Sequence, residues 1–165
     1  MPVKTRKAEF SDLSDITRIY NQGIQDRIAT FEADQKSPDD LEPWIRSRYP
    51  VVVVTNEGKV VAFAASFPYS SRECYRGVCE FSVYVERSNR GKGTGKTIMK
   101  SLIDAVGEAG MWKLVSRVFV ENTASRSMLR KIGFREVGVY EKHAQLDGVW
   151  KDVVIVEYLI GINMH

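Results

Sequence analysis

The sequence predicts a mixed α/β fold of the α+β type, with a mostly antiparallel central sheet and helices on both of its faces. Apolar runs typical of strands alternate with segments whose apolar residues recur at helical spacing. One apolar hairpin precedes the middle of the chain, and a second one closes it. The chain has 165 residues, of which 44% are hydrophobic and 27% are charged. This length suits one domain, and we expect a single domain over residues 1–165.

The N-terminal third predicts one strand and two helices. Residues 3–8 alternate as a strand does. Ser11 stands where a helix N-cap would, and apolar residues at helical spacing follow it, so we expect a helix over about 12–27. Ser37 and Pro38 mark a second helix start, because proline suits the first helical position.

The middle of the chain predicts a hairpin, a third strand and a glycine-rich connection. Residues 51–55 and 60–67 are apolar runs separated by a short polar turn, which is typical of a hairpin. A polar loop over 68–77 leads into a strand over 78–86. The glycine-rich residues 89–95 then join that strand to a helix with a regular apolar face.

The C-terminal third predicts a strand, a short helix and a final hairpin. Gly110 is placed to end the preceding helix, and residues 113–120 are strand-like. Residues 123–132 predict a short helix. Residues 134–142 and 149–159 predict two strands joined by an Asp-Gly turn.

Composition excludes several classes of protein. The net charge of +3 is too small for a nucleic-acid footprint, and no apolar run approaches the roughly 18–20 residues of a membrane span. The charged N-terminal segment argues against a secretory signal. Cys74 and Cys79 lack the spacing of a redox or zinc pair. We therefore expect reduced thiols, no metal, no nucleic-acid or membrane partner, and a cytoplasmic location.

The glycine-rich segment favours a phosphate or pyrophosphate ligand. Gly91, Gly93 and Gly95 alternate, which lets the backbone turn sharply and brings its N–H groups close to a ligand. The helix behind adds unpaired N–H donors and the positive end of its dipole. Basic side chains add full charges around these glycines: Arg90, Lys92 and Lys96. A glycine-rich turn with solvated lysines is the alternative interpretation.

Two well-known phosphate motifs do not match this segment. The P-loop pattern G-x-x-x-x-G-K-[ST] would use residues 95–97, but its first glycine falls on Arg90. The dinucleotide pattern G-x-G-x-x-G fails from Gly91 and from Gly93. The Gly95-Lys96-Thr97 triplet keeps a P-loop-like nucleotide-binding kinase open as an alternative. The mismatch at Arg90 and the closing hairpin oppose it.

The same segment resembles the GNAT-type acetyl-CoA N-acetyltransferases. Arg90-Gly91-Lys92-Gly93-Thr94-Gly95 matches their R/Q-x-x-G-x-G/A signature, and the segment from Asn122-Thr123-Ala124-Ser125 to Gly133-Phe134 is similar to their N-x-x-S…G-F/Y segment. The order of the elements also follows that family. Further segments resemble its phosphinothricin and methionine sulfoximine N-acetyltransferases: Tyr20-Asn21, Thr30-Phe31, Arg48-Tyr49-Pro50, Tyr75, 80–85 and 150–153.

The resemblance implies a GNAT-type fold that binds acetyl-CoA. The pyrophosphate would lie on the loop N–H groups, and the pantetheine arm would pair with a strand edge as an extra strand does. Asn122 and Ser125 would contact the arm or the distal phosphate, with ordinary helix capping as the alternative. The implied cofactor-binding residues are Val83, Tyr84, Val85, Arg90, Gly91, Lys92, Gly93, Thr94, Gly95, Lys96, Asn122 and Ser125.

Glu80 is the candidate general base for direct acetyl transfer to an amine. The amine must lose a proton, and the carbonyl oxygen must be stabilised as it becomes an oxyanion. Glu80 lies on the strand that leads to the glycine loop, at the position where the phosphinothricin-type enzymes carry a glutamate. A salt bridge, for example with Arg76, is the alternative. A backbone N–H within 83–85 could polarise the thioester carbonyl.

The polar loop before Glu80 is the candidate border of the acceptor pocket. Arg72 and Arg76 could pair with carboxylate or phosphinate groups, and Tyr75 and Phe31 could form pocket walls. This set suits a small amino acid with a second polar head, such as phosphinothricin or methionine sulfoximine. A solvated loop with two surface arginines is the alternative.

One position departs from the family pattern. Leu129 stands where many members carry a tyrosine that protonates the departing thiol. Tyr84 and Tyr140 are substitutes, although each is also explained by packing. The departure keeps a non-catalytic CoA-sensing module open as an alternative to a detoxifying enzyme. The resemblance also implies a homodimer and a small-molecule amine as partner.

Overall fold

The computed structural model describes residues 3–165, so Met1 and Pro2, which begin the charged N-terminal segment, lie outside it. Within these residues, four α-helices and seven strands are joined by short loops and single turns of 3-10 helix. The strands are β1 Val3–Lys7, β2 Val51–Asn56, β3 Lys59–Pro68, β4 Val78–Val85, β5 Lys113–Phe119, β6 Arg135–Leu146 and β7 Val149–Leu159. The helices are α1 Leu13–Asp26, α2 Pro38–Arg46, α3 Thr94–Glu108 and α4 Thr123–Lys131.

All seven strands form one mixed sheet. Their order across the sheet is β1-β2-β3-β4-β5-β7-β6. Each neighbouring pair is antiparallel except β4 and β5, which run parallel. The predicted mostly antiparallel sheet is therefore confirmed, and its single parallel pair lies at the centre.

Helices cover both faces of the sheet, as predicted. On one face α3 buries Ile98, Met99 and Leu102 against β2, β4 and β5, and α4 adds Leu129 to the same core. On the other face α1 and α2 pack on Phe63 and Tyr84 among other side chains. Alternate residues of a strand point to opposite faces, so β4 contributes to both cores.

The first helix begins differently from the prediction. Ser11 does not cap it, because this residue lies inside a short 3-10 turn over Phe10–Asp12 and is exposed. Asp12 stabilises the turn instead: its carboxylate accepts a hydrogen bond from the Glu9 N–H at 2.8 Å and two from the Arg6 guanidinium. Asp12 directly precedes α1, but its side chain makes no capping hydrogen bond to that helix, so the predicted serine cap is wrong and no side-chain cap replaces it.

The final hairpin is longer than predicted. β6 continues to Leu146 across an irregularity between Tyr140 and Ala144. Lys142 has a positive φ of 47° there, and its N–H donates to the Asp152 carboxylate at 2.7 Å. Three β6 residues, 141–143, therefore lie opposite the single β7 residue Asp152, and the ladder is interrupted there.

The two cysteines are both free thiols. Cys74 is exposed, whereas Cys79 is buried in the core under α3. Burial raises the pKa of the Cys79 thiol to about 12. Among the described residues no helix is both long and apolar enough to cross a bilayer.

Candidate active site

A cleft opens where the parallel pair at the centre of the sheet comes apart. β4 and β5 pair only from Val78 to Glu80, opposite residues 113–115. Beyond that point the Ser116 hydroxyl donates to the Phe81 carbonyl at 2.9 Å in place of a backbone bond. The space between the separated strands is about 430 Å³, counted to its open mouth. Its walls are formed by Ala29, Phe81, Ser82, Val83, Tyr84, Ser116, Arg117, Val118, Phe119, Asn122, Ser125 and Leu129.

The edge of β4 that faces this cleft presents unpaired main-chain groups. The Phe81 carbonyl accepts from Ser116, and the Val85 carbonyl accepts from the Arg90 side chain at 3.1 Å. Backbone groups of alternate residues face the same side of a strand, so those of Val83 face the cleft between these two. An extended amide chain in the cleft could pair with them as an added strand.

The glycine loop lies at the end of β4 and turns directly into α3. Gly91 and Gly93 have φ values of 76° and 82°, which an L side chain rarely adopts. Gly95 is different, because it lies in the first turn of α3. A Cβ built there would be 3.5 Å from the Met128 Cε, which is an ordinary contact. Gly91 and Gly93 are therefore required by the backbone conformation of the turn. Gly95 is not, and its only effect is to leave the start of α3 without a side chain near Met128.

The loop also offers unpaired donors and positive charge. Within the described chain, no protein acceptor pairs with the backbone N–H groups of residues 91–96. Lys92 and Lys96 are exposed, and no carboxylate of the described residues lies within 4.0 Å of either ammonium. Converging N–H groups at a helix N-terminus bind anions, so the predicted phosphate-binding character has a physical basis here.

The Arg90 side chain is held by protein groups. It donates to the Asp26 carboxylate at 2.6 Å and to the Val85 carbonyl. Arg87 donates to the other oxygen of Asp26 at 2.8 Å. Burial raises the pKa of Asp26, but the hydrogen bonds from both arginines outweigh it, so the pKa lies below its ordinary value. The C-terminal end of α1 thus fastens the loop.

α4 forms the opposite wall of the cleft. Asn122 caps this helix by accepting a hydrogen bond from the Ser125 N–H at 3.3 Å, so the capping alternative is correct. Both residues nevertheless line the cleft, and capping and ligand contact are compatible. Leu129 lines the cleft as well and is almost fully buried. This leucine offers no proton to a leaving group.

Glu80 is the last β4 residue paired with β5, directly before Phe81, where the cleft lining begins, and it forms an ion pair. Its Oε1 is 3.2 Å from Nη2 of Arg117 on β5. The alternative of an ion pair was thus right in kind, but the partner is Arg117, because Arg76 pairs with Glu73. The Glu80 side chain is 30% exposed, so water and small solutes reach it.

Tyr84 belongs to the core of the α1 face. Its ring stacks on Phe63 with centroids 5.4 Å apart and packs against Tyr20 at 5.0 Å. Burial raises the pKa of the Tyr84 hydroxyl well above its ordinary value, which makes it a poor proton donor. Tyr140 is exposed on β6 beside His143 and is not among the lining residues.

The predicted acceptor residues are not brought together. Phe31 packs edge to face on Phe119, a wall of the cleft, at 4.8 Å. Arg72 lies over the Tyr75 ring, and Arg76 lies over the Trp112 ring. The three predicted loop residues, Arg72, Tyr75 and Arg76, are not among the residues that line the cleft. Their role at the acceptor therefore stays a prediction. Residues 3–165 contain no cluster of three or more side chains suited to a metal ion.

Two residues of the site were missed by the sequence analysis. Asp26 is an ordinary acid at the end of a helix in sequence, and only the fold places it beside the loop arginines. Arg117 is a charged residue near the end of β5, shortly before the Asn122 motif. This position could have singled out Arg117 from the sequence, but its pairing with Glu80 could not have been predicted.

Comparisons with known proteins agree with this geometry. The model of the Acetyltransferase (GNAT) family matches residues 15–134, more than half of the chain. The chain is 33% identical to the phosphinothricin N-acetyltransferase of Alcaligenes faecalis, over 92% of this chain and 80% of that protein. It is 28% identical to the L-methionine sulfoximine/L-methionine sulfone acetyltransferase of Pseudomonas paraeruginosa, over 95% and 94% of the two chains.

A solved structure shows the same fold with a ligand. The phosphinothricin acetyltransferase of Sinorhizobium meliloti, in complex with acetyl-CoA, superposes with a TM-score of 0.91 at 26% identity. The match covers 99% of this chain and 91% of that one. The separated central strands and the glycine loop therefore belong to a framework that holds acetyl-CoA in that relative.

Proposed function

Since this chain belongs to the GNAT acetyltransferase family and is an acyltransferase, we propose that it acetylates the amino group of a small amino acid or amino-acid analogue. Acetyl-CoA is the donor, and phosphinothricin and methionine sulfoximine represent the acceptor type. The observation that carries this proposal is the cleft between β4 and β5: Glu80 is the last paired residue of β4 before the cleft, and the glycine loop follows the other end of that strand. Detoxification is the role we infer.

The described residues fit acetyl-CoA in three ways. Six consecutive N–H groups over 91–96 have no protein acceptor among residues 3–165 and suit a pyrophosphate. The open edge of β4 suits the amides of the pantetheine arm. Gly95 keeps the backbone of α3 free of a side chain where the arm would leave the loop. Val83, Asn122 and Ser125 line the path between them.

Glu80 acts as the general base in this proposal. The acceptor ammonium gives a proton to the carboxylate, directly or through water, and the free amine attacks the thioester carbonyl. A C–N bond forms and the C–S bond breaks. The open main-chain N–H of Val83, or that of Val85 two residues further along β4, stabilises the developing oxyanion. The charge pair with Arg117, which lines the cleft, holds the Glu80 carboxylate beside it, where the two reactants would meet.

The leaving thiol needs no tyrosine in this proposal. Leu129 is buried and apolar, and Tyr84 holds its proton tightly. A thiol with a pKa of about 8.5 departs as thiolate. Through water at the open mouth of the cleft, the thiolate takes up the second proton that the amine nitrogen loses as the amide forms.

The acceptor pocket extends from Glu80 toward Phe31. The loop residues Arg72, Tyr75 and Arg76 are proposed to meet the distal head of the acceptor. Exposed apolar side chains on the β6–β7 hairpin, including Val139 and Trp150, support the expected homodimer, and a cytoplasmic location remains expected. Sedimentation of the purified protein tests the dimer.

The test is acetyl transfer itself. Purified protein is incubated with acetyl-CoA and a panel of amino acids that includes phosphinothricin and methionine sulfoximine, and thiol release is recorded. We expect release with at least one of them. Glu80→Gln should lower kcat by about a hundredfold or more while the Kd for CoA changes little, because it removes a base and leaves the cofactor contacts intact.

The outcomes separate the alternatives. Equal loss of turnover and CoA affinity in Glu80→Gln would argue against a base. CoA binding without turnover on any amine, with a Glu80 variant that behaves as wild type, would favour the CoA-sensing module. Tight binding of ATP with magnesium and none of CoA would favour the kinase.

A further inference from the structure

We propose that Arg117 binds the α-carboxylate of the acceptor and so makes this enzyme selective for amino acids over simple amines. The inference rests on the proposed function and adds a residue that recognises the acceptor by its carboxylate. Arg117 lines the cleft, lies beside the candidate base and is about half exposed. It is therefore accessible to a small molecule that enters from the mouth.

The guanidinium of Arg117 has unused donors. Its one close charge within residues 3–165 is Glu80 at 3.2 Å, and no hydrogen bond of good geometry joins it to a protein acceptor there. Arg126 is different, because two of its nitrogens donate to both oxygens of Glu136 at 2.8 and 3.1 Å. An arginine offers five N–H groups in a planar fork that matches a carboxylate. Most of that fork is open in Arg117.

The position of Arg117 on the sheet suits an amino acid. Val115 is the last β5 residue opposite Glu80, and Arg117 follows two residues later, so both charged side chains lie on one face of the sheet. An α-amino acid carries its carboxylate one carbon from its amine. With the amine at Glu80, its carboxylate would reach the open side of the neighbouring guanidinium.

The cross-strand neighbours of Arg117 and Glu80 carry no charge. Ile155 is directly opposite Arg117 on β7, and Phe67 is directly opposite Glu80 on β3. Both are apolar side chains, so the two charges lie between nonpolar neighbours. Ion pairs between exposed side chains are weak, so an arriving carboxylate can share the guanidinium with Glu80 at little cost. A carboxylate held in two-pronged fashion is the stronger partner.

The experiment compares two acceptors that differ only in charge. One is the amino acid of the panel that the wild-type protein acetylates fastest, and the other is its α-carboxamide. Arg117→Gln should raise the KM for the amino acid about tenfold or more, because a hydrogen-bonded charge pair is lost. The KM for the carboxamide and the KM for acetyl-CoA should each change by less than about twofold, because neither uses this contact. Arg117→Lys should recover part of the loss, since it keeps the charge and loses the fork.

A matched control excludes a general effect of removing an arginine. Arg135→Gln also breaks an ion pair between neighbouring strands, with Glu157 at 2.7 Å, but it lies outside the cleft lining. It should leave both acceptor KM values unchanged. If Arg117→Gln raises the KM for the acid and the carboxamide equally, or if wild type acetylates both equally well, the inference is overturned while the transferase activity stands. If no amine is acetylated at all, the proposed function fails together with it.

Discussion

The grip of α1 on the glycine loop can be tested by replacing Asp26 with alanine. The Asp26 carboxylate accepts hydrogen bonds from Arg87 at 2.8 Å and from Arg90 at 2.6 Å. No other carboxylate of the described residues lies within 4.0 Å of either guanidinium. Alanine is the best helix former, and loss of an acid from a helix C-terminus is favourable to the dipole. Asp26→Ala should therefore loosen the loop without unfolding α1.

The magnitude follows from the exposure of the three side chains. Asp26 is 23% exposed, and the two arginines are 51% and 41% exposed. A hydrogen bond to a charged group contributes about 1.5–3 kcal/mol when well buried, and an exposed pair contributes about 0–1 kcal/mol. An intermediate value of about 1 kcal/mol for each bond gives about 2 kcal/mol for the loop. We therefore expect CoA to bind about 5–30-fold more weakly to the variant.

Calorimetric titration with CoA measures this effect, and thermal unfolding measures the cost to the fold. Glu42→Ala is the control, because Glu42 forms an exposed pair with Arg46 at 2.6 Å on α2. It should leave CoA affinity unchanged. Tighter CoA binding to Asp26→Ala would refute the reasoning, because it would mean that Asp26 competes with the phosphates for the two arginines.

Further predictions concern the glycine loop and the first helix. Gly93→Ala should lower the free energy of unfolding by about 1–2 kcal/mol, because φ is 82° at this position. Gly95→Ala should leave the free energy of unfolding unchanged and lower only the affinity for CoA. Chemical denaturation and titration with CoA measure the two effects in both variants. Hydrogen bonds from the neighbouring arginine depress the pKa of Asp12 below its ordinary 3.8, so its stabilisation is complete above that value and is lost as pH falls through the folded pKa. Asp12→Asn should lower the free energy of unfolding by about 1–2 kcal/mol at pH 7, and denaturation curves should converge with wild type in acid. A constant difference at all pH values would contradict the role of the charge.

Most elements of this fold could be predicted because their signals are local. The helical spacing of Ile16 and Ile19 and the Ser37-Pro38 start need no tertiary information, and both helices form as expected. The predicted cap at Ser11 was wrong because a short 3-10 turn precedes α1 and contains that serine. Arg6 on β1 pairs with Asp12 of this turn, and a contact between a strand and a turn leaves no periodic trace in sequence.

The site was predictable where one segment carries it and unpredictable where two segments meet. The glycine loop is continuous, so Gly91 and Gly93 could be assigned from spacing alone. The pairing of Glu80 with Arg117 depends on the order of strands in the sheet, and that order follows from packing rather than from any local pattern. Arg76 was the wrong example of a partner for this reason, because it was chosen for being close to Glu80 in sequence, whereas Arg117 is close to Glu80 in space.

The short parallel contact between β4 and β5 explains why binding and chemistry fall in one place. A three-residue ladder fixes Glu80 at the last paired position, so the base cannot move away from the origin of the cleft. The strands then diverge, and the unpaired edge of β4 leads from Glu80 to the loop that Asp26 holds against α1. One more paired residue on each strand would close the edge that an extended donor needs. With a shorter ladder, the strands that carry Glu80 and Arg117 would not be held next to each other. The length of this ladder therefore sets both the length of open β4 edge available to the donor and the geometry of the charged pair.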